Sequence, residues 1–392
     1  METLQLKIKF YRIIGVKMTI VLKSNNVAKA AISDKHGLQV AKDWKVMLDF
    51  ENNLFLEKSA SDVLSRTITD LLSVENTNPI VYTKDGEYVV LPDNTPRLSL
   101  NRNGTVFGLL EETTATNYYF PSDNPVSKTI NLVQGQNTGP WVVKMVGAGS
   151  VKVTGSSITS STSAEFTELQ PGYFMVDSPL AIAQVAVEVI GEVKHLSIIV
   201  SGFGSNGYTD NALIKTQLGA WWAASGLTKI KPEKVTQHLL NKKNFSIVFQ
   251  CVDNDYLNFS FTDTVYKPLV ELVNLNKHIS IIKRKTGSAA EEIAIRLFNN
   301  SEVIIPLTGT QKASTIAISS GDNGLMFAVN GNVTNPSQIM NGFTVSDILI
   351  GSSTEWVASS IRAKAQGVFT KFVMYDRQLN ADELRRVTQS FQ

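Results

Sequence analysis

The 392-residue chain is 43% hydrophobic and 18% charged, the balance of a folded globular protein and not of a disordered one. Its 37 Lys and Arg against 35 Asp and Glu leave a formal charge of +2, so no global field draws it to nucleic acid or to an anionic membrane. One cysteine, Cys251, excludes an internal disulfide and a cysteine-built zinc cage, while His36, His195, His238 and His278 stand singly, without HExxH spacing.

The length suits two or three domains. No apolar run approaches the ~20 residues of a spanning helix, so no membrane insertion is expected. At the start, Leu4, Leu6, Ile8 and Phe10 alternate with Gln5, Lys7, Lys9 and Tyr11. That is a strand pattern with no continuous apolar region of a signal peptide. Met18 is a second plausible start, so residues 1–17 belong either to the mature chain or to an upstream artefact of translation. Short strands are expected through Phe50, where Val46, Leu48 and Phe50 alternate with Lys45, Met47 and Asp49. From Ser59 to Ser73 the spacing of Val63, Ile68, Leu71 and Leu72 predicts a helix.

Asp85-Gly86 predicts a hairpin between Ile80–Tyr82 and Tyr88–Leu91, which Pro92 and Pro96 end because proline donates nothing to a ladder. Arg97 and the Glu111-Glu112 pair are the charges expected to meet as an ion pair across a loop. Neighbouring strand residues point to opposite faces, so these two carboxylates do not flank one bond as an acid/base pair. Arg66-Thr67, Tyr82, Asp85-Gly86, Asn94 to Arg97, Gly104, Gly108-Leu109-Leu110-Glu111-Glu112 and Thr116-Asn117 resemble, in order and spacing, a unit of bacteriophage tail, fibre and other virion proteins. There it precedes a carbohydrate-binding-type module.

Residues 125–203 read as a small antiparallel sandwich, with strands at Ser127–Val133, Trp141–Val146 and Val151–Thr154 and a final pair between Phe174 and Val200. Gly147, Gly149, Val151, Val153 and Gly155 resemble another module of phage virion proteins. Gly202 to Gly207, with three glycines in six residues, is the expected linker. Trp221-Trp222 then opens the last unit, with packing at the domain junction as its expected role. Further strands are expected at Phe245–Cys251, Ile279–Ile282, Ile293–Phe298, Val303–Leu307 and Ile316–Ile318, and Lys283-Arg284-Lys285 is expected as an exposed turn.

The last seventy residues carry the strongest local signals. Gly321-Asp322-Asn323-Gly324 is a turn, Leu325–Val329 an apolar strand, and Asn330-Gly331 a tight hairpin. Ile348–Gly351 and Gly367–Asp376 are further strands. Asn380 with Glu383 forms a capping box for a helix whose Leu384, Val387 and Phe391 share one face. Val329-Asn330-Gly331, Ile348-Leu349-Ile350-Gly351, and Gly367 through Tyr375-Asp376-Arg377-Gln378-Leu379 to Glu383-Leu384 resemble, in that order, the laminin G-like or concanavalin A-like lectin domain. The resemblance spans residues 205–392 and implies a jelly-roll of a kind that often binds glycans.

The expected architecture is therefore mainly β: tandem antiparallel β-sandwiches with a C-terminal jelly-roll, concanavalin A-like, and a short terminal helix. The units expected are 1–124 for virion attachment, 125–203 for the small sandwich and 204–392 for the lectin-like domain. No ExDxxE strand cluster, GxSxG elbow or phosphate loop occurs, so no enzymatic activity is expected. Trp356 is the candidate glycan contact, its alternative being a plug at one end of the sandwich. Asp253 and Asp255 sit at strand spacing, either in a solvated turn or as contacts to calcium or a sugar, and apart from such a calcium no cofactor is expected. Together the resemblances imply a structural protein of a phage particle (tail fibre, baseplate, collar or decoration); the lack of a signal-peptide pattern, of disulfides and of catalytic clusters fits assembly in the host bacterial cytoplasm, and the edges of the expected sandwiches lead us to expect a homo-oligomer. Its partners would be other virion proteins and host-surface polysaccharide, not nucleic acid. The alternative is a non-viral, non-enzymatic carbohydrate-binding adhesin.

Overall fold

The computed structural model describes residues 43–392 apart from 60–61, 77–79, 83–87, 101–105, 112–114, 134–140, 177–181, 201–220, 224, 254–263, 276, 287–290, 299–300, 308–312, 323, 335–342, 352–366 and 391–392. The first stretch runs β1 (Trp44–Asp49), β2 (Leu54–Lys58), β3 (Val63–Ser65), α1 (Ile68–Leu71), β4 (Leu72–Asn76), β5 (Ile80–Tyr82), β6 (Tyr88–Val90), β7 (Leu98–Leu100) and β8 (Val106–Glu111). The middle runs β9 (Ala115–Asn117), β10 (Lys128–Val133), β11 (Trp141–Val146), β12 (Ser150–Thr154), β13 (Ile158–Ser161), β14 (Gly172–Val176), β15 (Ile182–Ile190) and β16 (His195–Val200). The last stretch opens with β17 (Trp221–Ala223), β18 (Ser225–Ile230), α2 (Pro232–Leu239), β19 (Phe245–Asp253), β20 (Thr264–Asn274), β21 (Lys277–Thr286), β22 (Glu292–Arg296) and β23 (Glu302–Pro306). It closes with β24 (Ala313–Gly321), β25 (Gly324–Val329), β26 (Asn332–Thr334), β27 (Asp347–Ile350), β28 (Gly367–Tyr375) and α3 (Ala381–Ser390).

The chain is mainly β, built as tandem antiparallel sandwiches with a short terminal helix. The larger sandwich packs a ten-stranded sheet, ordered β26-β25-β24-β19-β28-β1-β2-β3 with β8 and β7 attached to β28, on a seven-stranded sheet ordered β23-β22-β21-β20-β27-β18-β4. Alternation makes the core between them: Ile247, Phe249 and Phe372 from the large sheet meet Leu272, Ile281 and Ile348 from its partner. Each such side chain, fully buried, contributes roughly 1.5–3 kcal/mol. Helix α3 covers the outer face of the large sheet with Leu384 and Val387, against Val248, Ala328 and Tyr375. The smaller sandwich sets β10-β15-β12 against β13-β14-β11-β16-β9-β17 around Trp141, Phe166, Phe174 and Val185.

The sheets do not follow the expected boundaries at 124/125 and 203/204. β1 pairs with Lys371–Tyr375 of β28, and β8 pairs with Gly367–Phe369 of the same strand edge. Residues from the expected attachment unit are thus strands of the C-terminal sandwich. The reason is physical: β28 is buried from Val368 to Tyr375 apart from Lys371, so its backbone N–H and C=O groups need a neighbouring strand on each side, and β1 and β8 supply the one β19 does not. β17 joins the smaller sandwich through β9, and β18, which follows after residue 224, joins the larger one through β4 and β27. Trp221-Trp222 therefore belongs to the smaller sandwich, and the glycine linker lies outside the described residues.

Other local expectations are also revised. The helix expected over 59–73 is one turn, Ile68–Leu71, between strands Val63–Ser65 and Leu72–Asn76, because Leu72 and Val74 are held by pairing with β18. Lys283-Arg284-Lys285 lies inside β21, where Lys283 is buried and ion-paired to Glu291 at 2.8 Å. The Asn330-Gly331 hairpin is as expected, with φ of 50° and 88°. The strand pair β5–β6 is present, its Asp85-Gly86 turn lying outside the described residues.

Candidate functional site

Trp356 and Asp255 lie outside the described residues, as do Glu112 and Phe391. Asp253 ends β19, where its backbone pairs with Gly367 of β28. On the other edge of β28, Gly367 pairs with Glu111 of β8. One register line, Glu111–Gly367–Asp253, thus crosses three strands at one end of the large sheet. The sequence kept these residues 142 positions apart (253 − 111), and only the non-local pairing of β8 with β28 aligns them.

The best-built polar surface is the face of the seven-stranded sheet turned away from the core. Ser73, Lys229, Leu349, Glu271, Ser280, Arg296 and Glu302 stand directly opposite one another from β4 to β23. Their neighbours Leu272, Ile281 and Ile295 fill the core, so period-two alternation turns this row outward. At its centre the Ser280 hydroxyl donates to the fully buried Glu271 carboxylate at 3.1 Å, and His278 Nδ1 stands 3.6 Å from the same oxygen. Further along, Arg284 bonds both Glu292 and Glu302, at 3.0 Å to the latter. These bonds hold the Arg284 pKa above its ordinary value, followed by the opposing effect of burial. Glu271 and Ser280 have almost no exposed surface, and His278 and Arg284 stand beside the row on β21, so the polar side chains the row offers to solvent lie nearer its ends: Lys229 and Arg296 in part, and Glu302. Sequence reasoning missed them. The available signal was Glu271, a lone carboxylate inside the apolar run Leu269-Val270-Glu271-Leu272-Val273.

A second constellation has the composition of a nucleophilic triad. His195 Nδ1 is 3.1 Å from Asp123, its Nε2 is 3.0 Å from the Ser197 hydroxyl, and Asn117 Nδ2 donates to Ser197 at 3.3 Å. Ser197 has no exposed surface, and a nucleophile has to meet its substrate. The group works as an internal hydrogen-bond chain of the smaller sandwich.

Two ionic clusters complete the inventory. Glu57 on β2 is fully buried and accepts from Arg66 Nε at 2.8 Å, Lys234 Nζ at 2.9 Å and His238 Nε2 at 3.2 Å. Burial pushes its pKa up, but the hydrogen bonds from Lys234, Arg66 and His238 prevail and hold it below the ordinary value. Arg377, in the lectin-like motif, grips Glu383 with two bonds of 2.7 and 2.9 Å and also binds Asp43. Glu383 in turn accepts from the Asn380 backbone at 2.9 Å and donates its own N–H to the Asn380 side chain, the expected capping box. Two of the motif's charged residues, Arg377 and Glu383, are thus spent on fastening α3, while Asp376 is paired with Lys45 and Lys242. Among the described residues, no three His, Cys, Asp or Glu gather as metal ligands. No described helix is long and apolar enough to cross a membrane.

No protein-family model matches the chain, and no curated protein matches it. Among solved structures, a SAP-like pentraxin from Limulus polyphemus aligns at 11% identity and a TM-score of 0.27, over 38% of this chain and 70% of that one. A Trypanosoma rangeli sialidase aligns at 13% and 0.31, covering 42% of this chain and 26% of the other. The binding domain of botulinum neurotoxin serotype C1 aligns at 15% and 0.30, covering 43% and 41%. The chain thus spans well under half of the sialidase and toxin chains. Likeness at these scores carries no conclusion about what this chain does.

Proposed function

We propose that the chain is a non-enzymatic structural protein of a bacteriophage particle, whose concanavalin A-like sandwich contacts host-surface glycans or neighbouring virion proteins. The observation that supports this most is the joining of the two sequence resemblances in one sheet. Leu109, Leu110 and Glu111 of the virion-protein-like unit pair with Phe369, Val368 and Gly367 of the lectin-like motif. The glycine of that unit is needed for the fit, since a Cβ on Gly108 would lie 2.5 Å from the Phe369 carbonyl oxygen. Two motifs that shape each other's backbone act as one module. Glycan contact on the outer row of the seven-stranded sheet would fall to its solvent-facing polar side chains, Lys229, Arg296 and Glu302. On this proposal the protein assembles as a homo-oligomer in the host bacterial cytoplasm, and its place is the virion.

The test uses the whole chain, because the large sheet needs β1 and β8. Purified protein is applied to bacterial cells and a bacterial polysaccharide panel, with and without calcium, alongside Trp356→Ala and Glu302→Ala. Specific antibody is used in parallel to label phage particles. Labelled particles with saturable glycan binding support a receptor-binding virion protein, and loss in one variant identifies the loop or the sheet face as the site. Labelled particles without glycan binding leave contact with virion proteins. Glycan binding without particle labelling favours the non-viral adhesin and overturns the phage assignment.

A further inference from the structure

Glu57 pairs across from Val46, a core residue, and so points into the end of the larger sandwich. That end is closed by α2, whose Val235 and Leu239 join the core beside Leu71, Leu72 and Ile230. Two further α2 side chains, Lys234 and His238, reach Glu57, and Arg66 reaches it from the connection after β3. The helix is eight residues long with proline in its first turn, too short to hold itself together without packing. Its seat therefore depends on two apolar side chains and on one buried carboxylate.

The charges around that seat do not balance. Lys45 of β1 acts on His238 from the neighbouring strand, and it shares Asp376 with Lys242. With Lys231 and Glu233 at the start of the helix and Asp70 beside Arg66, the seat holds five cations, Arg66, Lys234, Lys45, Lys242 and Lys231, against four carboxylates, Glu57, Asp376, Asp70 and Glu233. A proton on His238 adds a sixth cation, and the carboxylate it faces, Glu57, already takes Arg66 and Lys234.

We propose that α2 is an acid-releasable plug in the end of the larger sandwich, clasped by the Glu57 carboxylate and loosened when His238 takes up a proton. This goes beyond the structural role proposed above and stands without it. Burial, followed against the pull of the Glu57 hydrogen bond by repulsion from Lys45 and Lys234, holds the His238 pKa below its ordinary 6.5. In the released helix the ring is solvated and binds a proton more readily. Acid below 6.5 therefore favours release, by up to about tenfold per pH unit.

Amide hydrogen exchange of the full chain tests this, at about pH 7.5 and about pH 5.5, with rates corrected for intrinsic exchange. The lower value stays above the ordinary 4.5 of a glutamate, so Glu57 itself remains charged. Expected is a loss of protection in residues 232–239 and 54–58 of about fivefold or more on acidification, absent in His238→Gln, which keeps a neutral hydrogen-bond donor. Equal loss in both proteins, or none in the wild type, overturns the proposal. Should His238→Gln not fold, the His238 ring proton titration in the wild type decides: a midpoint below 6.5 supports the plug, and one at or above it refutes it.

Discussion

Replacing Gly108 by alanine probes the junction on which the larger sandwich depends. The new Cβ would sit 2.4 Å from Val368 Cγ1 and 2.5 Å from the Phe369 carbonyl oxygen. The valine methyl can rotate aside, whereas the oxygen belongs to the backbone of β28 and cannot. Ordinary contact starts at 3.4 Å, so β8 has to retreat by 3.4 − 2.5 = 0.9 Å. That distance is enough to break the ladder at Leu109↔Phe369 and its neighbours Leu110↔Val368 and Glu111↔Gly367. Overpacking costs about 1–3 kcal/mol and each lost backbone hydrogen bond about 1 kcal/mol, so with two bonds lost the total is about 3–5 kcal/mol. Urea unfolding followed by tryptophan fluorescence should show a midpoint lowered by about 1 M. Gly331→Ala is the control. Its φ of 88° strains any side chain, but the clash is with the flexible Gln389, so a smaller cost of about 1 kcal/mol is expected. A Gly108→Ala midpoint within about 0.2 M of wild type would refute the close approach of β8 to β28.

Three further outcomes follow from the same framework. A fragment of residues 205–392 lacks β1, β2, β3, β4, β7 and β8, leaves one edge of β28 unpaired, and should give a poorly dispersed amide spectrum; a well-dispersed one would show that those strands are dispensable. Arg377→Ala removes the bonds to Glu383 and Asp43, groups partly exposed to water, and should cost about 1–2 kcal/mol in thermal or urea unfolding, with loss of helical circular dichroism from α3. Stability against urea should fall in two stages on acidification. The lowered His238 pKa makes the first begin below 6.5, and the lowered Glu57 pKa makes the second begin below 4.5, since in both cases the unfolded chain binds the proton first. Unchanged midpoints from neutral pH to about pH 4 would contradict both shifts.

Local signals were legible wherever the structure is local. Asn380 and Glu383 cap their helix, Asn330-Gly331 makes its hairpin with both residues at positive φ, and the alternation of Val46 and Leu48 marks β1. What the sequence did not display is which strand each of these finds. Val46 pairs with Met374, and nothing near either residue encodes the other, because a β ladder is specified by matching apolar faces and not by spacing along the chain. Helix α2 escaped notice for a related reason. Its eight residues carry only Val235, His238 and Leu239 on the buried side, and its third anchor, Glu57, comes from a distant strand. The polar row on the seven-stranded sheet is likewise assembled from six strand pairings, so only Glu271 left a mark in the sequence.

The pairing of β1 with β28 also sets a timetable for synthesis. Asp43 and its partner Arg377 are 334 residues apart, so a ribosome makes most of the chain before the first strands of the large sheet find their neighbour. Until then β1 to β3 and β8 emerge with open edges, the condition in which nascent strands pair wrongly or recruit chaperones. A chain that stops short of Gly367 has no β28 to join them. The last strand is thus the central partner of the ten-stranded sheet, and the strands made before it have no complete sheet to join until it is present.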